Sequence, residues 1–348
     1  MAEIRWRSAL LRKRVILVPL IVAAAAVINI LFVLFVPSRH IPAGSAVEAE
    51  IRPGMTPWTI ASVLHESGVI TSRQRFVLAV KVLGAATGLQ WGEYRFSGIV
   101  NNYTVVKKLK RGTVITQKIT FREGITAREI AGLVQASFDI DSTDFMALVF
   151  SDSVCGSYGI KAPSLEGYLY PDTYRFRRSI SAGEVINTLV TQWKKTVDDS
   201  LVQRAGVMNM TIHEALTLAS IIEGEAQLDK ERAVISSLYH NRLRIGMRLQ
   251  ADPTIQYIIK DGPRRLLNGD KAIDSPYNTY IYGGLPKGPV NNPGIKSIIA
   301  ALYPDTSHYL YMVANGDGSH HFSSTLESHI QAKKRFDRER RRVRRLKK

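Results

Sequence analysis

The uncharged segment Val15–Val36 constrains this chain more than any other feature, because an apolar stretch of this length is costly to leave in water. It is about as long as a helix that crosses the hydrocarbon core of a membrane. Basic residues crowd residues 1–14, whereas Arg39 alone follows closely, so the positive-inside rule places the N-terminus in the cytoplasm. We predict a cytoplasmic segment (1–14), one transmembrane helix (15–36) in the inner (plasma) membrane, and an extracytoplasmic remainder. A cleaved signal peptide is the alternative, although its apolar region is normally shorter.

The positive charge of the chain is concentrated at its two ends. The net charge is +17 over 348 residues, of which residues 1–14 carry +4 and residues 333–348 carry +9, so the rest carries only +4. Nucleic-acid-binding domains usually carry a basic surface on their body, so nucleic acid is not an expected partner. The basic tail, residues 331–348, is expected to be solvated, or else to contact acidic polymers or lipid headgroups. The single cysteine, Cys155, excludes an internal disulfide and a cysteine-based metal site.

An internal repeat follows the apolar segment. Ile51–Leu64 aligns with Phe121–Val134 at an offset of 70, and each copy reads as a strand, a glycine turn and a Thr-capped helix. Each copy is followed by a Tyr-Arg-Phe strand, in Gly92–Phe96 and in Asp172–Phe176. Two copies of a small α/β unit are therefore predicted.

The strand–helix–helix–strand order of the first copy resembles LysM-type modules, which bind glycans that contain N-acetylglucosamine. The second copy carries a long insertion between Ser137 and Glu166. Behind it lie Tyr168, Tyr170 and Tyr174, which either stack on sugar rings or pack as ordinary half-buried strand residues.

A helix beginning after Thr211 is the strongest candidate for chemistry. Thr211 and Glu214 form a capping-box signature, and a helical wheel places Glu223 in the middle of an apolar stripe. Glu225 points about 160° away from Glu223 at 100° per residue. A carboxyl group on an apolar face is either protonated by burial, which suits a general acid, or structural and satisfied by an Arg or a backbone amide. The helix itself leaves both interpretations open.

The remainder of the chain alternates helices with turn-rich loops. Asp229 is expected to cap the next helix and Gly246 to end it. The segments MRLQADPTIQY and SPYNTYIYGGLPKGPVNNPG are typical of a substrate cleft built from loops. Tyr309–Ser324 predicts a β-hairpin with Asn-Gly and Asp-Gly pairs at its tip. The zincin, P-loop, nucleophile-elbow and dinucleotide fingerprints are absent from the sequence.

Several motifs in fixed order then identify a family. LASIIEGEA, NRLRIGMRLQADPT, YNTY, GLPKGPVNNPG and YLYMVANGDGSHHF, following the apolar segment and the LysM-like repeats, resemble the endolytic murein transglycosylases of the YceG-like family. The resemblance implies cleavage of peptidoglycan strands between N-acetylmuramic acid and N-acetylglucosamine. The family's essential Glu in Ala-Ser-Ile-x-Glu falls on Glu223. The implied fold class is α+β, with a single N-terminal transmembrane helix, LysM-like α/β modules and a catalytic domain with a loop-built glycan cleft.

The implied reaction requires one carboxyl group. The resemblance implies that Glu223 protonates the leaving oxygen and then accepts the proton of the muramyl C6 hydroxyl as a 1,6-anhydro ring closes. No metal or cofactor is implied. The residues that the resemblance places along the glycan groove are Asn241, Gln250, Asp252, Thr254, Tyr277, Asn278, Tyr280 and Asn292. Asp252 and Asn292 each precede a proline, so either is equally a natural turn former.

These inferences predict a domain plan and two competing functions. A LysM-like module (45–118) precedes a catalytic domain (119–330), whose first part (119–180) includes the second repeat unit. The resemblance implies peptidoglycan strands and peptidoglycan synthases as partners. One alternative is a muramidase-type hydrolase with Asp252 as second carboxylate, which leaves reducing ends instead of anhydro ends. The other is a non-catalytic LysM-type cell-wall anchor.

Overall fold

The computed structural model describes residues 20–42, 44–260 and 262–346. The predicted cytoplasmic segment and the first part of the predicted span, residues 15–19, lie outside them. The fold is mixed α+β: helices predominate, and the strands of the described residues form two-stranded sheets. The chain divides into two compact units. One ends at Gln117 and also contains Arg175–Ser179, and the other consists of Lys118–Tyr174 and the chain from Ile180 onward.

An apolar helix, α1 (Leu20–Phe35), begins the described chain. Most of its apolar side chains are exposed, while Val33 and Leu34 are buried. Among the described residues, no single helix is both long and apolar enough to cross a membrane. The bent pair Asp199–Val207 and Ile212–Glu225, at 92°, meets the length and composition criteria only as a pair. The predicted transmembrane helix stays a prediction.

The first unit is built from two antiparallel strand pairs and short helices. Its elements after α1 are β1 (Pro37–Ile41), β2 (Val47–Ile51), α2 (Pro57–Glu66), α3 (Arg73–Val82), β3 (Gly92–Phe96), β4 (Gly98–Asn101) and α4 (Asn102–Arg111). β1 pairs with β4, and β2 pairs with β3. The chain from β2 to β3 therefore has the strand–helix–helix–strand order expected of the first repeat. Leu64, Phe76 and Tyr94 lie in its core.

The second unit is mainly helical. Its elements are α5 (Ala127–Ser137), α6 (Ser142–Val149), α7 (Asp152–Ser157), α8 (Ala182–Thr196), α9 (Asp199–Val207), α10 (Ile212–Glu225), α11 (Arg232–Arg244), α12 (Asp252–Ile258), α13 (Ile295–Leu302), β7 (Tyr311–Ala314), β8 (His320–Ser323) and α14 (Leu326–Leu346). β5 (Thr116–Thr120) pairs with β6 (Thr173–Arg177). The chain passes from one unit to the other within each of these strands and again between Ser179 and Ile180.

Local sequence signals fix the helix starts. The side chains of Thr56, Thr126 and Thr211 accept hydrogen bonds from backbone N–H groups of α2, α5 and α10, as predicted. The predicted hairpin is also confirmed, because β7 and β8 pair antiparallel. The prediction for Asp229 is wrong: α11 begins at Arg232 without a side-chain cap, after a 3₁₀ turn that contains Asp229.

The tyrosines behind the insertion pack inside the protein. Tyr168, Tyr170 and Tyr174 are at most 9% exposed, and Tyr168 contacts the rings of Trp193 and His213. These side chains therefore contribute to the core, and stacking of sugar rings on them is excluded in this conformation.

Helix α10 is the central element of the second unit. Every residue from Ala215 to Ile222 is buried, and the helix packs against α11, α12 and most extensively α13. Such a helix is apolar on all sides, which is the pattern of a core element. Its last turn, with Glu223, emerges beside the start of α13.

Candidate active site

Glu223 lies in the last turn of α10 and has two partners. Its side chain is 7% exposed. Oε1 accepts a hydrogen bond from Arg232 Nη1 at 3.1 Å, and Oε2 accepts one from the backbone N–H of Gly294 at 3.1 Å. The helical wheel predicted the burial. The contacts are those of the structural alternative, an Arg and a backbone amide, so a catalytic role for Glu223 requires proton transfer by an ion-paired carboxyl group.

Arg232 divides its positive charge between two carboxylates. Its side chain is 10% exposed, and Nε donates to Asp229 Oδ1 at 3.1 Å while Nη1 reaches Glu223 and Ser297. Hydrogen bonds from Lys296 and Arg232 lower the pKa of Asp229. Asp229 thus binds the arginine of the site, which explains why it does not cap α11. Arg232 was not predicted, because no spacing rule connects it with Glu223.

The second repeat copy forms one wall around Glu223. Gly124 has a φ of +76°, and a Cβ atom on it would lie 3.3 Å from Glu223 Cγ. Its N–H donates to the carbonyl of Asn292 at 2.9 Å, and Ile125 forms a β-bridge with Asn292. The glycine is needed both for the left-handed turn and for the close approach to the carboxyl side chain.

Asn292 is fully buried, and all its side-chain hydrogen-bonding capacity is used by the protein. Oδ1 accepts from the N–H groups of Gly167 and Leu169, both at 2.9 Å. Nδ2 donates to the Ile125 carbonyl and to Glu166 Oε1, both at 2.9 Å. Asn292 therefore holds two loops together and presents no free amide to a ligand in this conformation.

Glu166 is a buried carboxyl group that the sequence analysis did not predict. It is 2% exposed and accepts hydrogen bonds from Asn292 and from the N–H of Ala127, the latter at 3.0 Å. Burial raises its pKa to about 8. It joins the start of α5 to the Asn292 turn.

A second polar cluster occupies the other side of the end of α10. Glu225 accepts from Tyr239 Oη at 3.1 Å and from the backbone N–H of Asp252. Burial and the charge of Asp252 raise the pKa of Glu225 to about 7. Asp252 in turn accepts from Tyr280 Oη, and Lys271 Nζ lies 3.6 Å from its carboxylate. Among the described contacts, none joins Asp252 to Glu223.

The other predicted groove residues separate into buried and accessible sets. Asn241, Thr254 and Asn278 are buried, with hydrogen bonds to neighbouring loop carbonyls. Gln250 is exposed in a left-handed conformation (φ +48°), and Tyr277 packs partly buried against Tyr257. Asp252 and Tyr280 also reach solvent.

A cavity of about 600 Å³ opens in the loop region before α13. Its lining residues are Asp274, Ser275, Pro276, Tyr282 and Lys287. Across the described ranges, no three His, Cys, Asp or Glu side chains lie close enough together to hold a metal ion.

Comparison with known proteins decides the family. A sequence profile of the YceG-like family matches residues 49–335. The chain belongs to the YceG-like family. The resemblance predicted from the motifs is thereby confirmed.

Two curated relatives and one solved structure are similar to this chain. An endolytic murein transglycosylase of Bacillus subtilis (strain 168) is 35% identical over 314 residues, covering 85% of this chain and 84% of that protein. An endolytic murein transglycosylase of Streptococcus pneumoniae (serotype 2) is 28% identical over 318 residues, covering 81% of this chain but 57% of the relative. A crystal structure of a YceG-like protein from Listeria monocytogenes aligns with a TM-score of 0.58 at 34% identity. That alignment covers 83% of this chain and 99% of the other.

Proposed function

We propose that this protein is an endolytic lytic transglycosylase of peptidoglycan. It cleaves the bond between N-acetylmuramic acid and N-acetylglucosamine in nascent strands and leaves a 1,6-anhydro end, with Glu223 as the sole acid and base. The observation that carries the proposal is the placement of Glu223. It is a nearly buried carboxyl group, held by Arg232 and by the Gly294 N–H, in a chain 35% identical to a protein named for this activity.

The ion pair is compatible with proton transfer because Arg232 has a second carboxylate partner. Its Nε is bound to Asp229, so the guanidinium keeps a counter-charge when Glu223 is neutral. Neutral Glu223 donates its proton to the departing glycosidic oxygen. The resulting carboxylate, again paired with Arg232, accepts the proton of the C6 hydroxyl as the C6 oxygen bonds to C1. Water is not consumed.

We assign the predicted groove residues two different tasks. Gln250, Asp252, Tyr277 and Tyr280 are at least partly accessible and are proposed to contact the glycan. The buried residues that hold the loops of the groove in position are Asn241, Thr254, Asn278 and Asn292. Tyrosine rings with accessible faces suit sugar rings, which offer apolar faces between polar hydroxyls.

The cellular setting follows from the substrate and from the N-terminal segment. Peptidoglycan lies outside the cytoplasmic membrane, so we propose a single-pass anchor that includes α1, with the catalytic unit on the extracytoplasmic side. The α/β repeats of residues 45–118 and 119–180 are proposed to be LysM-like glycan-binding modules. Peptidoglycan synthases are the proposed protein partners.

The test is mass spectrometry of the products formed from uncross-linked peptidoglycan strands. We expect internal fragments with anhydro ends from the wild-type chain and none from Glu223→Gln. Glu214→Gln is the matched control, because it changes a glutamate of the same helix while Gln still supports the capping box. Reducing ends would instead identify a muramidase-type hydrolase. Strand binding without cleavage by the wild-type chain would identify a wall anchor.

A further inference from the structure

A second carboxylate lies beside Glu223, on the turn of the second repeat copy. Glu123 is exposed, and a Cβ atom placed on Gly294 would overlap its carboxylate. The N–H of the same Gly294 donates to Glu223 Oε2. Glu123 and Glu223 therefore both lie next to the same glycine residue.

The shared glycine limits the distance between the two carboxylates. Combining these contacts with ordinary backbone bond lengths places Glu123 Oε1 no more than about 8 Å from Glu223 Oε2. Enzymes that cleave glycosidic bonds with two carboxyl groups hold them roughly 5–9.5 Å apart. An upper limit of about 8 Å is compatible with this range, so one sugar ring can lie within reach of both groups.

The carboxylate of Glu123 forms no direct ion pair in the described part of the chain, although, after the hydrogen bond and charge of Asp229, its charge helps to raise the pKa of Lys296. Among the described residues, no donor lies within hydrogen-bonding distance of its carboxylate. The neighbouring cations have other partners: Arg122 binds Glu129 at 3.0 Å, and Lys296 binds Asp229. Glu123 therefore places an exposed carboxylate without a hydrogen-bond donor at the edge of the site.

The internal repeat provides a comparison within the chain. Arg52 and Gly54 of the first copy recur as Arg122 and Gly124, but the residue between them changes from Pro53 to Glu123. The copy whose glycine contacts Glu223 is therefore the copy that carries the extra carboxylate. The turn itself does not require a carboxylate, because the first copy forms it with proline.

We propose that Glu123 is a second catalytic carboxylate, which stabilises the positive charge that develops at the anomeric carbon of the muramic acid residue. The proposal rests on the proposed lytic transglycosylase activity. Glu123 forms no bond and exchanges no proton. As the bond from C1 to the leaving oxygen breaks, the proton of Glu223 moves to that oxygen. As the C6 oxygen bonds to C1, the hydroxyl proton returns to Glu223. The negative charge of Glu123 lowers the energy of the cationic state between these steps.

The variants of the test separate charge from structure in the purified full-length chain. Glu123→Gln removes the charge and keeps the shape. Gly294→Ala keeps the Glu123 carboxylate but displaces it, because the added Cβ would overlap the flexible end of that side chain. The backbone N–H of residue 294 still donates its hydrogen bond to Glu223. Asp144→Asn, at an exposed position of α6, is the control for loss of one negative charge.

We expect kcat on peptidoglycan strands to fall about 10²-fold in Glu123→Gln and Gly294→Ala, with KM and anhydro products unchanged. Asp144→Asn should match the wild-type chain. Binding affinity gives a second readout. Glu123→Gln should weaken the binding of a muramyl disaccharide analogue with a protonated ring nitrogen about tenfold, because the substitution removes the negative charge that attracts it. The uncharged disaccharide should bind as before. If Glu123 had only a structural role, Glu123→Gln would change the affinities for the charged analogue and for the uncharged disaccharide together, or would change neither.

A kcat within twofold of wild type in Glu123→Gln would overturn the inference, as would a raised KM with unchanged kcat. The proposed function fails separately. If Glu223→Gln still forms anhydro ends, the assignment of Glu223 is wrong. If Glu223→Gln forms no anhydro ends while Glu123→Gln retains full activity, the assignment of Glu223 stands and only the proposed role of Glu123 is wrong.

Discussion

Gly224, between the two carboxyl-bearing residues at the end of α10, offers a quantitative test of the site. A Cβ atom on Gly224 would lie 2.7 Å from both Cβ and Cγ of Pro253. Carbon atoms in ordinary contact are roughly 3.5–4.0 Å apart, so α10 and α12 must separate by about 1 Å. The proline ring is rigid and cannot swing aside, unlike the end of a long side chain. Gly224→Ala should therefore strain the contact between the two helices.

Two opposing effects set the size of the change in unfolding free energy. Overpacking a well-packed contact costs about 1–3 kcal/mol, whereas replacing Gly by Ala in a helix gains about 0.5–1 kcal/mol. We expect Gly224→Ala to lose roughly 1–2 kcal/mol in urea unfolding. Gly132→Ala is the matched control, because Gly132 lies within α5 and its Cβ would have no atom within 4 Å. That variant should gain about 0.5–1 kcal/mol.

The same displacement should reduce activity. Gly224 is adjacent to Glu223, and Pro253 is adjacent to Asp252, so a shift of about 1 Å changes the position of groups on both sides of the cleft. We expect kcat to fall by about 10–10²-fold in Gly224→Ala and to stay unchanged in Gly132→Ala. The close packing of α10 on Pro253 would be refuted if Gly224→Ala were at least as stable as Gly132→Ala and also kept full activity.

Three further predictions concern charge and burial. Asp229→Asn leaves Arg232 with Glu223 as its remaining carboxylate, so the guanidinium loses its counter-charge whenever Glu223 is neutral. We expect kcat to fall about tenfold while KM stays unchanged, and an unchanged kcat would contradict the shared charge. Glu225 has its pKa raised from 4.5 to about 7, mainly by burial, so its contribution to stability is present below pH 4.5 and is lost as pH rises through 7. Glu225→Gln should therefore gain stability relative to wild type between pH 5 and pH 8, by no more than about 3 kcal/mol. A difference in unfolding free energy that does not change with pH would exclude the raised pKa of Glu225. Asn292→Ala leaves buried backbone groups without partners and should cost at least about 2–4 kcal/mol in urea unfolding, so a loss under about 1 kcal/mol would argue against the buried network.

Short-range patterns made much of this protein predictable. The capping Thr residues act through bonds three residues away, and the hairpin tip at Asn315–Gly316 is a local turn signal, so neither depends on the rest of the fold. The periodicity of α10 likewise revealed that Glu223 is buried. The ordered motifs were sufficient to predict the family.

The partners of these residues depended on contacts that no local pattern encodes. Arg232 pairs with Glu223 across two helices, and Asn292 binds Glu166 from 126 positions away. Four predicted groove residues, Asn241 and Thr254 in helices and Asn278 and Asn292 in loops, were found buried because their side chains donate to backbone carbonyl groups of neighbouring segments.

What the sequence determined by itself was therefore the capped helix starts, the hairpin, the family and the burial of Glu223, because each follows from residues along one segment or from motifs in fixed order. Only the tertiary structure decided which charges surround that carboxyl group. Ion pairs and buried hydrogen bonds form between segments distant in the chain, and their geometry exists only once the helices and loops have packed.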